Sequence, residues 1–409
     1  MLPLMLGRSQ MSTADRPQAF KEALAERTGT RAEDWYPTFR ARHAMQAVLG
    51  AIRAQKGGGE VITQLLTCCT AVDPILEAGL TPVYGDLSAQ TLGLDYLTLP
   101  VSPDTRAVVL QHTFGLFDDA AEQALADAAH DAGALVLEDS AHCACHLSKS
   151  GDTPLADVSF HSFGVQKMAS SDFGAATWVN PDMNDGQLRA AIVQVLSELP
   201  AFDARLDRAA RHYDFQIRVL MHLPGPLRRA LWDPLARLKL FIPSVSSDER
   251  RGKVSYVPSL PSDWVYDHMA AGLADLARQE ERSIEATQIF ATELAPLAKE
   301  GLVHIPAAAL ENVRALLRFP LVLDSEKRAD ALVEAIVDSG CYCDTWGRPA
   351  LFPGALDATA YGLSPEGDLS AWPETKRCVA GIVPLYTSVP AEEARRVSQT
   401  VAQFLKSSS

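Results

Sequence analysis

Asp139 and Lys167 each follow an apolar, strand-like run of this 409-residue chain, and both residue types can do chemistry at a strand end. An ionised carboxylate at Asp139, after the run Ala134–Glu138, is costly to bury unless it pairs with a cation such as a protonated pyridine nitrogen. Lys167 could form a Schiff base if burial and a nearby cation lower the pKa of its ammonium group. Each has an ordinary alternative, because Asp139 could cap the next segment and Lys167 could be a solvated surface charge. Asp139 precedes Lys167 across one strand-like run, and this order indicates a shared chemical site more strongly than either residue does alone.

Two further features suit a phosphate group. Ser162 precedes the lysine by five positions and could donate a hydrogen bond to a phosphate oxygen. In 36–49 a loop opens a helix, whose start presents free backbone N–H groups and partial positive charge. Arg40, Arg42 and His43 add cationic side chains there. The alternative is a charged helix start that binds nothing.

The elements that must position these residues are short strands alternating with helical patterns. The predicted strands share apolar runs that begin after turn residues or helical segments, and they are Glu60–Ile62, Thr81–Tyr84, Arg106–Gln111 and Ala134–Glu138. Such alternation predicts an α/β fold with a parallel sheet covered on both faces. Functional residues of such sheets lie at the carboxyl ends of the strands.

Composition changes along the chain predict its division into domains. We expect an N-terminal arm at 1–35, a large domain at 36–260, and a linking helix with a small α+β C-terminal domain at 261–409. A helical insertion rich in Arg and Leu interrupts the large domain at about 185–245. Within it, 224–243 mixes basic with large apolar residues, which is compatible with docking at a membrane surface. A helix packed on a partner subunit or over the mouth of the site is the favoured interpretation.

Bulk properties exclude several classes of protein. The formal net charge of −14 argues against nucleic-acid binding and favours a cytoplasmic protein. No secretory signal is evident, and no apolar run reaches the roughly 18 residues that a membrane-spanning helix needs. The seven cysteines indicate reduced thiols. The pair Cys143 and Cys145 directly precedes His146 without the usual zinc spacing, so no metal site is predicted.

Taken together, the motifs resemble those of the DegT/DnrJ/StrS family of aminotransferases, which depend on pyridoxal 5'-phosphate (PLP). The resemblance runs from about residue 36 to the C-terminus and is poor between about 185 and 260. The matching motifs share their order and spacing with the family, and they are Gly58–Ile62, Ala78–Val83 with Asp86, Asp104–Val109, His112–Gly115, Glu138–Ala141, Ser162-Phe-x-x-x-Lys167 and Phe173–Asn180.

The resemblance implies a fold, a cofactor and an activity. The fold would be PLP-dependent transferase fold type I, with a mixed, mostly parallel seven-stranded sheet, a small C-terminal domain and a homodimer whose sites lie at the subunit interface. Lys167 would carry PLP as a Schiff base and move protons, Asp139 would pair with the pyridine nitrogen, and Ser162 would bind the phosphate. The implied reaction transfers an amino group from glutamate or glutamine to a keto-sugar nucleotide, in cell-surface glycan or secondary-metabolite biosynthesis.

Several positions depart from the family pattern. Ala41-Arg42 replaces the usual Gly-Thr at the phosphate-binding helix, so we expect Arg42 to bind the phosphate by another route. Cys68 stands where an aromatic residue often stacks on the cofactor ring, and His142 stands where glutamine is usual; both are expected to contact the cofactor. Ser262 lies near the position of the partner subunit's phosphate ligand. Two alternatives stay open: a PLP enzyme with a non-sugar substrate, and a non-catalytic binding or regulatory protein with this fold.

Overall fold

A seven-stranded sheet forms the centre of the protein, of which the computed structural model describes residues 15–311 and 314–407. The strands of the first half, in chain order, are β1 (Trp35–Thr38), β2 (Glu60–Thr63), β3 (Thr81–Tyr84), β4 (Thr105–Gln111), β5 (Leu135–Asp139), the short hairpin β6 (Lys149–Ser150) and β7 (Thr153–Pro154), β8 (Val158–Ser162) and β9 (Ala175–Val179). All but the hairpin belong to the large sheet.

The strand order in this sheet is β1-β9-β8-β5-β4-β2-β3. The five strands from β8 to β3 pair in parallel, whereas β9 runs antiparallel to both β8 and β1. Every residue of β5, β8 and β9 is buried, as continuous apolar runs in a sheet covered on both faces require. The predicted mixed, mostly parallel seven-stranded sheet is confirmed.

Helices cover the two faces of this sheet. They are α1 (Asp15–Thr28), α2 (Ala41–Lys56), α3 (Cys69–Glu77) and α4 (Asp119–Asp131). Because alternate residues of a strand point to opposite faces, Val109 of β4 packs in the core on the α2 side and Val108 packs on the α4 side. The sheet therefore holds its strand ends between two well-packed layers.

Four helices follow β9, and a long loop connects them to the C-terminal part. These helices are α5 (Gly186–Ser197), α6 (Ala204–Arg211), α7 (Tyr213–His222) and α8 (Gly225–Arg237). The loop up to Ser262 contains one short 3-10 turn, Glu249–Arg251. We call α6, α7 and α8 the insertion helices. The domain boundaries predicted from the sequence stay a prediction.

The 37-residue helix α9 (Asp263–Lys299) leads into the C-terminal elements. These elements are α10 (Ala307–Glu311), β10 (Arg318–Val322), α11 (Glu326–Asp338), α12 (Pro373–Gly381), β11 (Ile382–Tyr386) and α13 (Ala391–Ser407). Strands β10 and β11 pair antiparallel, and Phe290, Leu332 and Val401 join them in a separate apolar core. No helix among the described residues has the length and apolar character needed to cross a membrane.

Candidate active site

A cavity of about 460 Å³ opens at the carboxyl ends of the parallel strands. All six residues predicted to form the site line it, and they are Arg42, Cys68, Asp139, His142, Ser162 and Lys167. The sheet register explains part of this convergence. Asp139 pairs with Gln111 on one side and with Phe160 on the other, so the ends of β4, β5 and β8 lie side by side.

Lys167 lies in a tight turn that follows β8. The Lys167 N–H donates to the Gly164 carbonyl oxygen at 3.3 Å, and Gln166 between them has a left-handed φ of 59°. Among the described residues, Lys167 Nζ has no hydrogen-bond or ion-pair partner. Burial lowers the pKa of this amine, Arg318 and Arg42 lower it further, and Asp139 and Cys68 only partly oppose them. A larger fraction of the amine is therefore unprotonated and nucleophilic than on an exposed lysine.

Asp139 ends β5 as a buried carboxylate. Its Oδ1 accepts a hydrogen bond from the Ala141 N–H at 3.0 Å, so the residue does cap the following turn. Its Oδ2 receives no hydrogen bond from the described residues. Burial raises the pKa of the Asp139 carboxyl, while the Ala141 N–H and the Lys167 charge oppose the rise. A cationic partner in the cavity would favour the ionised form further.

Behind Asp139, a buried network joins His112, Glu138 and His146, whose potential ligand atoms lie within 4.8 Å of one another. His112 Nε2 lies 2.9 Å from Glu138, and its Nδ1 lies 3.5 Å from Glu122. Although burial alone would lower the pKa of His112, the two carboxylates raise it to about 10. A protonated His112 thus offsets part of the negative charge of the two carboxylates. Cys143 and Cys145 contribute no ligand atom to this cluster.

His142 is held by aromatic neighbours. Its Nδ1 accepts a hydrogen bond from the Phe114 N–H at 3.0 Å, which leaves the hydrogen on Nε2. The imidazole stacks on Phe114 with the ring centroids 5.9 Å apart and meets Trp346 edge-on at 4.9 Å. Burial, assisted by the Lys167 charge, keeps the pKa of His142 well below its ordinary value. The ring therefore stays neutral at physiological pH and offers one N–H donor.

Cys68 is the N-cap residue of α3, and it is only partly buried. Thr70 Oγ1 donates a hydrogen bond to its Sγ at 3.0 Å. A hydrogen bond from Cys69 lowers the pKa of the Cys68 thiol despite burial, and Arg42 adds to this effect. The position where the family resemblance implies an aromatic residue thus carries a polarisable sulfur whose pKa is lowered.

The start of α2 carries two buried arginines. Arg42 Nη1 donates to the Glu249 carboxylate, and its Nη2 donates to the Ser244 carbonyl oxygen at 3.0 Å. Arg40 also lines the cavity; its Nη2 donates to the Pro243 carbonyl oxygen at 2.6 Å. Sequence reasoning named Arg40 only as an additional cation and did not identify Glu249, which is 0% exposed.

The remaining wall of the cavity is largely apolar, and its residues were not named from the sequence, although the interpretation of 224–243 included a helix over the mouth of the site. The insertion helices supply Tyr213, Ile217, Met221 and Trp232, and the C-terminal part supplies Trp346 and Phe352. These contacts join segments far apart in the chain, so no local sequence signal could have revealed them. Ser262 caps α9, its Oγ accepting from the Val265 N–H, and it does not line this cavity. Its contribution to a partner subunit stays a prediction.

The donor set fits PLP. Ser162, the start of α2 and a buried Arg40 Nη1 without a hydrogen-bond partner among the described residues suit a phosphate. Asp139 offers a carboxylate oxygen for a pyridine N–H, and Lys167 offers a free amine for an aldehyde. The groups suited to the phosphate, to the pyridine nitrogen and to the aldehyde therefore line one cavity.

Comparisons with known proteins relate the chain to aminotransferases. The spore coat polysaccharide biosynthesis protein SpsC of Bacillus subtilis (strain 168) is 32% identical over 136 residues, which is 31% of this chain and 33% of SpsC, so the match spans about a third of that relative. A putative sugar aminotransferase of Streptococcus pneumoniae, Spr1654 in its PMP form, superposes with a TM-score of 0.70 at 17% identity, covering 98% of this chain and 94% of its own.

A second solved structure, DesI in the presence of its TDP-sugar product, gives a TM-score of 0.64 at 20% identity, covering 95% of this chain and 84% of its own. At such identities the structural likeness establishes the fold, which is that of the fold type I aminotransferases. Residues 4–197 match the sequence profile of a family that contains such enzymes. The family whose profile these residues match is the DegT/DnrJ/EryC1/StrS aminotransferase family.

Proposed function

We propose that the protein is a PLP-dependent aminotransferase acting on a sugar-derived ketone. The observation that carries this proposal is the unpartnered Lys167 amine, which shares a cavity with the Asp139 carboxylate. A binding or regulatory protein has no need of a buried amine with a lowered pKa beside that carboxylate. The family match and the sugar-related names of the similar proteins support the same reaction class.

When bound, PLP supplies an aldehyde that condenses with amines and a ring that accepts an electron pair. Asp139 would keep the ring nitrogen protonated, because a buried carboxylate stabilises an adjacent cation. Ser162 and the start of α2 would hold the phosphate, and Arg42 would contribute there. Lys167 would hold the cofactor, and its Nζ would act in each half-reaction as the general base that removes a proton from one carbon and the general acid that delivers it to the other. His142 and Cys68 line the cavity where they would contact the ring.

For the finer identity of the substrates, we propose glutamate or glutamine as the amino donor and a keto-sugar nucleotide as the acceptor. The TDP-sugar product named for DesI supports a nucleotide-linked acceptor. We further propose a cytoplasmic homodimer that works in cell-surface glycan or secondary-metabolite biosynthesis. The polysaccharide role in the name of SpsC supports this setting.

A second candidate is transamination of a non-sugar ketone. The specific observation in its favour is the apolar wall that Ile217, Met221 and Trp232 of the insertion helices contribute. Such a wall favours an acceptor with an apolar or aromatic part, since burial of apolar surface supplies binding energy.

The test begins with the absorbance spectrum of the protein reconstituted with PLP. The wild type should show a near-visible band that borohydride fixes as a covalent adduct, and Lys167→Ala should give no adduct. Lys149→Ala is the matched control, because Lys149 is an exposed lysine outside the cavity. Addition of glutamate should convert the wild-type cofactor to the amine form.

The outcomes separate the candidates. A cofactor that binds but is never converted by any amino donor would favour the non-catalytic alternative. If donors do convert it, parallel assays with TDP-linked keto-sugars and with aromatic ketones decide between the two acceptor classes. Turnover of aromatic ketones alone would refute the sugar-nucleotide proposal.

A further inference from the structure

Arg40 is a buried arginine with one unsatisfied nitrogen. It is the N-cap residue of α2, and its side chain is 9% exposed. Nη2 donates to the Pro243 carbonyl oxygen, whereas the buried Nη1 has no hydrogen-bond partner among the described residues. Burying a charged donor without an acceptor is costly. An anion in the adjoining cavity would supply the missing acceptor.

The backbone around Arg40 points to the same ligand chemistry. Helix α2 is 16 residues long, and no side chain caps its first turn. The His43 and Ala44 N–H groups both donate to the Arg40 carbonyl oxygen, while those of Ala41 and Arg42 have no acceptor within the described part of the chain. Two free N–H groups at a helix start attract an oxyanion.

Ser162 lies close to this helix start because of the sheet register. Ala175 of β9 pairs with Thr38 of β1 on one side and with Ser162 of β8 on the other. Two strand spacings separate β1 from β8 by about 10 Å, a gap that an arginine side chain and a phosphate together can bridge. The Ser162 oxygen accepts from the Gly164 N–H at 3.3 Å, and its hydroxyl donates to none of the described residues.

Arg42 differs from Arg40 in what surrounds its guanidinium group. Both of its Nη atoms are occupied, by Glu249 and by the Ser244 carbonyl oxygen. Glu249 lies 3.6 Å from Arg40 Nη1, which is an ion-pair distance without a hydrogen bond. Two arginines against one carboxylate leave one positive charge near the helix start, and that charge suits a phosphate.

We infer that the guanidinium group of Arg40 is the side chain that binds the phosphate of the cofactor, while Arg42 contributes its backbone N–H and holds Glu249. This inference rests on the proposed function, since it assigns a role within the same site. In the family, the Gly-Thr motif offers the phosphate small residues and a hydroxyl group. In this chain, the positive charge of Arg40 takes over that contribution to phosphate binding. Burial and the neighbouring Arg42 lower the pKa of Arg40 to about 10, so it stays charged at neutral pH.

The test compares the binding of PLP with that of pyridoxal, which lacks the phosphate. Dissociation constants for both are measured on the cofactor-free protein from the absorbance of the Lys167 adduct, without any turnover. In Arg40→Met we expect PLP to bind about 10- to 100-fold more weakly, the usual effect of losing a charged hydrogen bond, and pyridoxal to bind as in the wild type. Arg189→Met is the matched control, because Arg189 pairs with Asp34 outside the cavity.

Each outcome has one meaning. If the wild type binds neither compound, the proposed function fails. If the wild type prefers PLP and Arg40→Met keeps that preference, the assignment of Arg40 is overturned while the proposed function stands. If Arg40→Met does not fold, Arg40→Gln decides: glutamine keeps N–H donors but carries no charge, so a preference equal to that of the wild type would likewise overturn the assignment.

Discussion

Glu249→Gln provides a sharp test of how the loop after the insertion helices is fixed. Glu249 is 0% exposed, and it pairs with Arg42 and Arg40, whose side chains are 15% and 9% exposed. Its other oxygen accepts from the Ser246 N–H at 2.7 Å. Glutamine keeps the shape but removes the charge, and it leaves two buried guanidinium groups without a counter-ion. Removing one partner of a buried ion pair costs about 3–5 kcal/mol, so we expect a loss of that size at pH 7.

The assay is urea denaturation of the cofactor-free protein, followed by circular dichroism. Glu280→Gln is the control, since its ion pair with Arg27 is about 30% exposed on both sides and should cost under about 1 kcal/mol. Although burial would raise the pKa of Glu249, Arg42 and Arg40 hold it below its ordinary value. Its contribution is therefore complete above the unfolded pKa of about 4.3 and is lost as the pH falls through the folded value.

The difference between wild type and Glu249→Gln should accordingly shrink on acidification below pH 4. A loss at pH 7 no larger than that of the Glu280→Gln control would refute the reasoning. It would mean that water or a rearranged side chain replaces the carboxylate at low cost.

Three further predictions concern the site and the pH dependence of stability. Asp139→Asn should keep PLP bound but slow the glutamate half-reaction by about 100-fold or more, measured by stopped-flow absorbance; an unchanged rate would exclude a role for this carboxylate in catalysis. Trp232→Ala should raise the KM for the acceptor about 10-fold with PLP binding unchanged, and an unchanged KM would place the acceptor away from the insertion helices. Unfolding free energies from pH 5 to 9 should be greatest near neutrality. Burial lowers the pKa of His43 to about 3, so its contribution is lost as the pH falls below about 6.5, whereas the pKa of His112, raised to about 10, makes its contribution decline as the pH rises from about 6.5 through 10. A stability that rises steadily toward pH 5 would contradict the assignment for His43, and a stability that does not decline between pH 6.5 and 9 would contradict the assignment for His112.

The sheet and the pair formed by Asp139 and Lys167 could be predicted because the sequence patterns that indicate them are local. The segments that form β4 and β5 are largely apolar. The residues that could take part in a reaction follow at the ends of the strands or shortly after them. Parallel strands bring such ends together whatever the rest of the chain does. The order of Asp139, Ser162 and Lys167, together with the family resemblance, could therefore place them in one site.

The phosphate end of the cavity could not be predicted in the same way. Arg40 and Arg42 both stand at a helix start, and nothing local says which guanidinium group is free. The answer depends on Glu249, which is 207 residues away from Arg42 in the chain. Likewise, the neutral state of His142 depends on burial against aromatic residues such as Trp346. Long-range packing decides these details, and a spacing pattern carries no information about it.

The cavity wall is divided between the sheet layer and the insertion helices, and this division has an evolutionary consequence. The residues proposed to hold the cofactor come from strand ends, the turns that follow them and helix starts of the sheet layer, whereas Tyr213, Ile217, Met221 and Trp232 come from the insertion helices. Glu249 ties the loop that follows these helices to the start of α2. Mutations in the insertion helices can therefore reshape the proposed acceptor pocket while the proposed catalytic groups keep their positions. A lineage could diversify its substrates by drift in this one segment, with selection on the chemistry left undisturbed.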